Sequence, residues 1–415
     1  MHFLSAVILL ISLSLLSVSS PLSPSKYTTF SHSPSYDGPL TIDTFSNNAT
    51  NALGHWHGPQ EALKITTTPG SITLYPTDPD QAYHTQLSSA LCFNLVPYKH
   101  RYLHVVFSGP AAFDISLTQH NDACDPSLHP YPETWDTVEA ARYQTPSAIY
   151  IPLSHFNIDL HRVVSIGFSG FYTTDPVTFY RVALVTETEL PASFRVPTKL
   201  PSGTLNLRCT VPNSFAFGID DGRPEFANRV MQILEEEGIL VTFFVVGMGI
   251  QDPETNFSSV YAEMKRRGHQ IALHSETHRK LESLPSTDEI DDEITRNIQA
   301  LKDHLGIESR YFRPPYGTVG ARTRQRLASH LPEPHIINWS VDIEDWLWAN
   351  TSTPERQLEA FYRDVRQGGN LAVMHFVSES TVDYLVDVIR FVKRLGLRVM
   401  RVDQCLGDLD LDLGF

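Results

Sequence analysis

After Cys209 the sequence alternates strictly between short apolar runs and longer amphipathic stretches, and this alternation restricts the fold more than any other feature. The apolar runs are nearly continuous, which is typical of strands buried on both faces of a parallel sheet. They occupy 214–219, 241–246, 270–273, 311–312, 335–341, 371–374 and 397–402. About seven strand–helix units favour a closed or nearly closed (β/α) barrel over residues 209–405, with a doubly wound parallel sheet as the alternative.

Residues 21–189 show a different pattern, in which apolar and polar residues alternate over short runs. A period of two is typical of strands with one buried face, and Gly, Pro, Asp and Asn separate these runs. The clearest are 71–75, 102–108, 113–118, 148–153, 163–168 and 178–185. We therefore predict an antiparallel β-sandwich. Residues 190–208 follow as a predicted linker, because 190–203 contain three prolines and little pattern.

The two ends of the chain indicate export. Residues 3–16 are almost unbroken apolar and small residues follow them, so 1–20 are predicted to be a secretory signal peptide. The segment before the apolar run lacks Lys and Arg, which leaves an uncleaved signal anchor as the alternative. No later run approaches the ~18 apolar residues of a membrane span, and 406–415 form an acidic tail. We expect a secreted protein, extracellular or in the cell wall, without a stable membrane span after signal cleavage.

Four cysteines suit this compartment, because oxidising conditions favour disulfide bonds. Cys92 and Cys124 lie in the first half and Cys209 and Cys405 bracket the second, so we predict these two pairs. In the chain-entropy model the second pair stabilises the fold by about 5 kcal/mol. Four sequons also predict a glycoprotein, and they are Asn48, Asn256, Asn338 and Asn350. Asn338 falls in the predicted strand 335–341, so we expect it to be unmodified.

The overall charge excludes one class of partner. The chain has 32 Lys and Arg against 47 Asp and Glu, a formal net charge of −15. A field of this sign repels phosphate backbones and anionic membranes. Nucleic acid is therefore not expected as a partner, and the sequence does not assign an oligomeric state.

Polar residues follow most of the predicted strands in the second half. They are Asp220 and Asp221 after the first run, His274 and His278 after the third, Arg313 and Tyr316 after the fourth, Asp342 and Asp345 after the fifth, and His375 at the end of the sixth. Because the carboxyl ends of the strands of a (β/α) barrel meet at one face, these distant residues are expected to converge.

Two histidines and one aspartate form a candidate metal site. His274 and His278 are four residues apart, a spacing that on one helical turn lets both imidazoles face the same ion. A zinc-protease motif is excluded, because Ser275 stands where that motif needs Glu. Asp221 would complete a His2Asp set with an open position, as in catalytic zinc sites. Asp220 would accept a proton from the attacking water.

Five motifs resemble, in order and spacing, those of the polysaccharide deacetylase family, the NodB-like carbohydrate esterases. They are GIDDG at 218–222, HSETH at 274–278, RPPYG at 313–317, VDIEDW at 341–346 and VMH at 373–375. The resemblance covers roughly residues 213–402 and implies a distorted (β/α) barrel. It also implies a divalent metal, most commonly Zn2+, with Co2+ or Ni2+ as other candidates. The implied substrates are N-acetylglucosamine polymers such as chitin or, in some branches, acetylated xylan.

Carried over residue by residue, the resemblance implies Asp220 as catalytic base and Asp221, His274 and His278 as metal ligands. Arg313 would orient the base through charge-assisted hydrogen bonds.

The remaining motif residues are implied to act on the other side of the substrate. The backbone N–H of Tyr316 would help to stabilise the oxyanion, and its side chain would line the substrate site. His375 resembles the general acid that protonates the departing amine, with Asp345 as the partner that sets its tautomer and Asp342 as the alternative. Trp346 would wall the acetyl pocket, unless it belongs to the core.

The first motif departs from the family pattern. Gly218 and Ile219 replace the usual Thr and aromatic residue, and Arg223 takes the usual place of Pro, with Pro224 one position late. None of these residues is an implied ligand, so the chemistry would be kept, whereas Arg223 would alter the preference for substrate charge.

The first half weakly resembles galactose-binding-like sandwiches that serve as carbohydrate-binding modules. Trp56 and Trp135 are candidates for stacking on sugar rings, with core packing as the alternative. Together these features predict a secreted metal-dependent deacetylase that removes N-acetyl groups from an acetylated hexosamine polysaccharide through a metal-activated water. The alternatives are an O-acetyl xylan esterase and a catalytically silent protein that binds cell-wall glycan.

Overall fold

The computed structural model describes residues 38–89 and 92–408, so the predicted signal peptide and most of the predicted acidic tail lie outside the described residues. The described residues form two antiparallel sheets followed by one parallel sheet with helices around it. None of the helices in this part of the chain has the length and hydropathy that crossing a bilayer requires.

The strands of the first half form a six-stranded and a five-stranded antiparallel sheet. They are β1 (Leu40–Asp43), β2 (His57–Gln60), β3 (Lys64–Thr68), β4 (Ser71–Tyr75), β5 (Ala82–Gln86), β6 (Tyr102–Ser108), β7 (Asp114–Gln119), β8 (Thr134–Glu139), β9 (Ala148–Pro152), β10 (Val163–Ser169) and β11 (Val177–Val185). One sheet has the order β3-β4-β11-β6-β9, with β1 paired to β11, and the other has the order β2-β5-β10-β7-β8.

Alternate residues of these strands face a shared apolar core. On β7, Ile115 and Leu117 pack into the cluster that also holds Leu103 of β6 and Phe179 of β11, so the two sheets enclose one core. This confirms the predicted antiparallel β-sandwich. The disulfide bond between Cys92 and Cys124, predicted from their positions, is present.

The second half forms a parallel sheet. Its strands are β12 (Thr204–Asn206), β13 (Ser214–Asp220), β14 (Thr242–Val245), β15 (Gln270–Leu273), β16 (Tyr311–Phe312), β17 (His335–Ile337), β18 (Val341–Asp342), β19 (Leu371–His375) and β20 (Arg398–Val399). Its helices are α1 (Pro224–Glu236), α2 (Gly247–Gln251), α3 (Phe257–Arg266), α4 (Thr287–Leu305), α5 (Ala321–His330), α6 (Asp345–Trp348), α7 (Arg356–Arg366), α8 (Glu379–Arg394) and α9 (Val402–Cys405).

The order of these strands is β12-β17-β16-β15-β14-β13-β19-β18, and β20 pairs with β13. Among the described strands, β12 and β18 end the sheet without pairing to each other, so the barrel is curled but incomplete. This confirms the predicted distorted (β/α) barrel. The second predicted disulfide bond, Cys209–Cys405, joins residues 196 apart and ties the first loop of this half to α9.

The apolar run 335–341 was expected to be one strand, and this prediction is wrong. The chain leaves β17 on one side of the gap and enters β18 on the other. Between them, the N–H of Asn338 donates to Asn206 O of β12 at 2.9 Å and the N–H of Ser340 donates to Leu371 O of β19 at 2.9 Å. An apolar run indicates that its residues are buried, but it does not indicate at which edge of the sheet each half of the run pairs. Asn338 is also only 8% exposed, which disfavours its sequon.

The structure also differs from the predicted linker at its carboxyl end. Residues 204–206 form β12, which pairs in parallel with β17. A strand of three residues is too short to show a period in the sequence. The division of the chain into domains otherwise stays a prediction.

The sandwich is anchored to the barrel through α5. Asp114 of β7 accepts the N–H of Ala321, in the first turn of α5, at 2.6 Å. Arg324 of the same helix forms an ion pair with Asp136 of β8 at 3.1 Å, and both side chains are buried. Buried charges of this kind are tolerated only when they are paired and hydrogen-bonded, so the five-stranded sheet has a defined position against the barrel.

Candidate active site

The polar residues of five motifs lie at the same end of the parallel sheet. Asp220 ends β13 and His375 ends β19, and the two are paired neighbours across these strands. His274 directly follows β15, Arg313 directly follows β16 and Asp345 begins α6 after β18. Because all these strands run in the same direction, their carboxyl ends bring the five residues to one face of the barrel.

Asp221, His274 and His278 form a cluster with the spacing of a metal site. One ligand atom from each residue lies within 4.8 Å of the others. The Nε2 atom of His278 lies 3.5 Å from Asp221 Oδ2, and Nε2 of His274 lies 3.9 Å from Asp221 Oδ1. Two donors bound ~2.0–2.1 Å from one tetrahedral ion would be roughly 3.3 Å apart, so the cluster is close to the size that an ion needs.

The two histidines are oriented by an irregular loop, not by the helical turn that their spacing suggested. Residues 274–278 lie outside any helix, and Ser275 and His278 have φ values of 62° and 61°. The Ser275 hydroxyl accepts the N–H of His278 at 3.0 Å, which closes the loop. Helical spacing is therefore not the reason that the two rings meet.

His274 presents an unprotonated nitrogen to the cluster. Its Nδ1 lies 2.7 Å from Arg313 O, and a carbonyl can only accept, so Nδ1 carries the proton and Nε2 presents its lone pair to the cluster. Burial lowers the pKa of His274 to about 3, which keeps the ring neutral. Metal binding requires this neutral form. Two imidazole nitrogens and one carboxylate are a donor set that suits zinc and related divalent ions, so the residues present fit the implied metal.

Two side chains of α4 that sequence reasoning missed hold this loop. Glu293 accepts the backbone N–H of Thr277 at 2.8 Å, and Asn297 accepts that of His274 at 3.0 Å. Both are buried, four residues apart on the face that also buries Ile294. Polar residues on the apolar face of an amphipathic helix were the available signal, because a buried polar group needs a partner.

Asp220 and Arg313 form a buried ion pair beside the cluster. Nη1 of Arg313 donates to Asp220 Oδ1 at 2.7 Å, and both side chains are almost fully buried. The guanidinium also lies against Gly218, where a Cβ would be 2.4 Å from Arg313 Nη2. Burial raises the pKa of Asp220, while Arg313, His375 and His278 act in the opposite direction.

His375 and Asp345 form a second pair on the other side of Asp220. Asp345 Oδ1 lies 2.8 Å from His375 Nδ1, and Oδ2 accepts the backbone N–H of His375 at 2.7 Å. Asp342 instead accepts the N–H of Glu344 at 2.7 Å, and burial raises its pKa to about 7. Asp345 is therefore the carboxylate that orients the His375 ring.

Charge keeps His375 protonated in the metal-free chain. Burial would lower its pKa, but the carboxylates of Asp345, Asp220 and Asp221 outweigh burial and raise the pKa to about 10. The ordinary pKa is 6.5, so the ring stays protonated at neutral pH and loses its proton only as the pH rises toward 10.

We expect Asp345→Asn to lower the pKa of His375 by about 1–3 in the metal-free protein, because it removes one adjacent opposite charge. Titration of the ring proton by NMR measures this, and an unchanged pKa would show that Asp345 is not the main source of the shift.

Tyr316 lies beside the cluster, and Trp346 directly follows Asp345 in α6. Tyr316 has a φ of 61° within the turn at 315–317, and its ring centroid lies 4.7 Å from that of His278. It is 47% exposed and Trp346 is 42% exposed, so both side chains can meet a ligand. The alternative that Trp346 is a core residue is thereby wrong. Gly222, directly after Asp221, packs against Phe376, because a Cβ there would lie 1.9 Å from the Phe376 ring.

Comparison with known proteins identifies the family. Residues 208–331 match the family described as polysaccharide deacetylase. A chitin deacetylase of Pestalotiopsis sp is 33% identical over 213 residues, which are 50% of this chain and 69% of that relative. The chain belongs to the polysaccharide deacetylase family. The predicted resemblance to this family is thus confirmed.

Two further members of the polysaccharide deacetylase family are similar. A peptidoglycan-N-acetylglucosamine deacetylase of Listeria monocytogenes is 30% identical over 53% of this chain and 43% of that relative. The solved chitin deacetylase of Colletotrichum lindemuthianum is 28% identical over 50% of this chain and 94% of that chain, with a TM-score of 0.46. Three of the relatives, including the Pestalotiopsis enzyme, are matched over 48% to 69% of their own length. Their substrates are therefore carried over to this protein only as a proposal.

Outside the matched segments, the two tryptophans of the sandwich have different surroundings. Trp56 is 41% exposed. Trp135 packs partly against the apolar cluster of the barrel and also lines a cavity between the two halves. The structure therefore leaves stacking on a sugar ring as a prediction for Trp56, and gives Trp135 a place where both packing and ligand contact can occur.

Proposed function

We propose that this protein is a secreted, metal-dependent hydrolase that removes N-acetyl groups from chitin-like or related hexosamine polysaccharides. The observation that carries the proposal is the convergence of three functional groups on one face of the barrel. These are the cluster of Asp221, His274 and His278, the Asp220–Arg313 pair, and the His375–Asp345 pair. Two disulfide bonds are compatible with an extracellular or cell-wall location.

The cluster would hold a divalent cation, most commonly zinc in this family. When bound, the cation supplies Lewis-acid chemistry, which polarises the amide carbonyl and makes a water molecule more acidic. Asp220 takes the proton of the attacking water, because its buried carboxylate is held by Arg313 next to the cluster. The backbone N–H of Tyr316, in the left-handed turn beside His278, would stabilise the negative charge on the carbonyl oxygen.

His375 is the reason to propose an amide substrate in preference to an ester. An amine leaves poorly unless its nitrogen is protonated, whereas an alkoxide leaves an ester more readily. His375 carries the required proton, and Asp345 fixes the ring so that Nε2 points away from the hydrogen-bonded Nδ1. A protonated histidine next to the base therefore meets the requirement of amide hydrolysis, which supports an N-acetyl substrate in preference to O-acetyl xylan.

The test is acetate release by the purified, metal-loaded protein from three acetylated substrates. We expect release from N-acetylated chitooligosaccharides, because protonated His375 can supply the proton that the departing amine needs. Acetylated xylan tests the alternative substrate. Preincubation with a chelator should abolish the activity, and added zinc should restore it, since the cluster holds the cation through three side chains. Peptidoglycan glycan strands serve as the third substrate. Release that ignores the chelator, or none from any substrate, would overturn the proposal.

A further inference from the structure

A cavity of about 610 Å3 lies between the outer face of the five-stranded sheet and a barrel wall formed by residues 316–319, residues 338–344 and the end of α7. Its volume is within the ~300–1000 Å3 range of ligand sites in proteins. One wall comes from the sandwich and the other from the barrel, so neither half alone forms it. Its lining includes Tyr316 and Asp342, which places one end of the cavity beside the candidate active site.

The sandwich wall consists of the side chains that alternate with those of the sandwich core. Ala82 and His84 of β5 and Ser116 and Thr118 of β7 line the cavity, whereas their neighbours face the other way. These residues are small or polar, and Gly167 between them lacks even a Cβ, which would lie 2.5 Å from Ser116 Oγ. Small and polar side chains on this face of the sheet thus leave a polar space between the sheet and the barrel that covers it. Burial lowers the pKa of His84 to about 4, so its neutral ring can both donate to and accept from hydroxyl groups.

The barrel wall supplies aromatic surface and an unused acceptor. Tyr316, Trp339 and Asn338 line this side. Asn338 is 8% exposed, and within the described residues its Oδ1 has no hydrogen-bond partner, while its Nδ2 donates to Gly317 O at 3.0 Å. A buried acceptor without a partner carries a cost, which a ligand hydroxyl or amine can offset.

The loop that joins β4 and β5 holds the two walls together next to the metal-ligand cluster. Lys280, two residues after His278, donates to Asp78 at 2.9 Å and to Asp80 at 2.6 Å. Thr318, two residues after Tyr316, donates to Asp80 at 2.6 Å. The sandwich is therefore tied to both loops that carry site residues, and its wall has a fixed position relative to the reacting group.

The charge of the lining restricts the ligand. The carboxylates of Glu61, Asp80, Glu344 and Asp364 line the cavity, and Arg363 is the cation among the lining residues described. Arg363 is already paired with Glu344 at 3.0 Å and with Asp364 at 2.8 Å. An uncharged or amine-bearing sugar suits this lining, whereas a sugar with a carboxylate would be repelled.

We propose that this cavity binds the sugar units of the polysaccharide chain next to the unit that is deacetylated, and that it selects uncharged or amine-bearing hexosamine units. The apolar faces of the rings pack on aromatic side chains such as Trp339, and their hydroxyls and amines meet His84, Thr118 and Asn338. The sandwich thereby contributes substrate-binding residues to the site of the barrel. This inference rests on the proposed function, because it assigns the rest of the same substrate.

Equilibrium binding of chitooligosaccharides to the metal-loaded full chain tests the inference. Isothermal titration is performed in the Asp220→Asn background, so that the ligand is not consumed. We expect the N-acetylated hexamer to bind at least about tenfold more tightly than the dimer, because remote sugar units add binding energy. Ala82→Trp should weaken hexamer binding about tenfold by filling the cavity, and His84→Ala should weaken it roughly threefold to tenfold through lost hydrogen bonds without adding bulk.

The matched control is Thr73→Trp, on a strand of the other sheet, which is expected to bind the hexamer like the unmodified background. An oligomer of uronic acids is expected not to bind. Equal hexamer affinity in the background, Ala82→Trp and His84→Ala would overturn this inference. Acetate release by the wild-type chain, measured separately, decides the proposed function. A chain that binds the hexamer through the cavity but releases no acetate would therefore refute the activity and support the binding site.

Discussion

Replacing Asp220 with asparagine is expected to leave metal binding intact and to lower turnover of an acetylated chitooligosaccharide by about 10²–10⁴-fold. Asp220 lies beside the cluster of Asp221, His274 and His278 and is not one of its three members. Asparagine keeps the shape of the side chain but cannot accept the proton of the attacking water. The measurement is the metal content per chain together with the initial rate of acetate release.

The substitution also disturbs a buried ion pair, and this effect must be separated from catalysis. Arg313 is fully buried, and loss of its partner charge costs about 3–5 kcal/mol in comparable pairs. The cost is reduced here, because Arg313 also donates to the carbonyls of Ile337 and Ala372 and the asparagine oxygen can still accept. A thermal unfolding midpoint far above the assay temperature, with metal bound, would show that the loss of rate is chemical.

His278→Ala is the matched control, since it removes a member of the cluster and leaves the Asp220–Arg313 pair untouched. We expect this variant to lose both metal and turnover, because two remaining donors do not hold the ion tightly. Equal loss of metal in the two variants would contradict the division between base and ligands. Normal turnover in Asp220→Asn would contradict the role of Asp220 itself.

The parallel sheet could be predicted because its strands are buried on both faces. Runs such as 214–219 and 371–374 carry this burial directly in their composition, and they correspond to β13 and β19. The split between β17 and β18 could not be predicted, because it depends on hydrogen bonds from Asn338 and Ser340 to strands far away in sequence. Local pattern reports burial, whereas the edge that a strand joins is a property of the whole sheet.

The identity of the residues at the strand ends was accessible from the motifs, but their conformation was not. The spacing of His274 and His278 suggested a helical turn, whereas the loop has positive φ values at Ser275 and His278. Backbone N–H groups of that loop donate to Glu293 and Asn297, and no local propensity encodes these tertiary hydrogen bonds. The close approach of the Arg313 guanidinium to Gly218 is likewise a tertiary contact that the local sequence does not indicate.

In the sandwich, strands with clear alternation were predicted and those without it were missed. β4 and β6 match the predicted runs, whereas β2, with the sequence HGPQ, contains Gly and Pro and has no apolar period. The small polar residues that face the cavity, such as Ser116 and Thr118, look like solvent-facing positions in the sequence. Their burial follows from docking against the barrel, which a strand pattern does not report.

His375→Ala is expected to reduce amide hydrolysis far more than ester hydrolysis. General acid catalysis contributes about 10²–10⁴-fold where the leaving group needs a proton, so kcat on an N-acetylated chitooligosaccharide should fall by that factor. An activated acetate ester, whose leaving group departs as a stable anion, needs no proton and should lose about tenfold or less. The two rates are measured on the same metal-loaded preparation, so changes in folding or metal content cancel in their ratio.

Asp345→Asn provides the graded control for this ratio. Asparagine at 345 can still hydrogen-bond to His375, but it removes the charge that raises the pKa of the ring. Because the folded pKa lies above the ordinary value, the acid form persists below it and is lost as the pH rises through it. The variant should therefore lose amide hydrolysis at a lower pH than the wild type, while hydrolysis of the activated ester keeps its pH profile. If both substrates lose the same factor in His375→Ala, His375 acts on a step that they share, such as binding or attack by water, and the assignment as general acid fails.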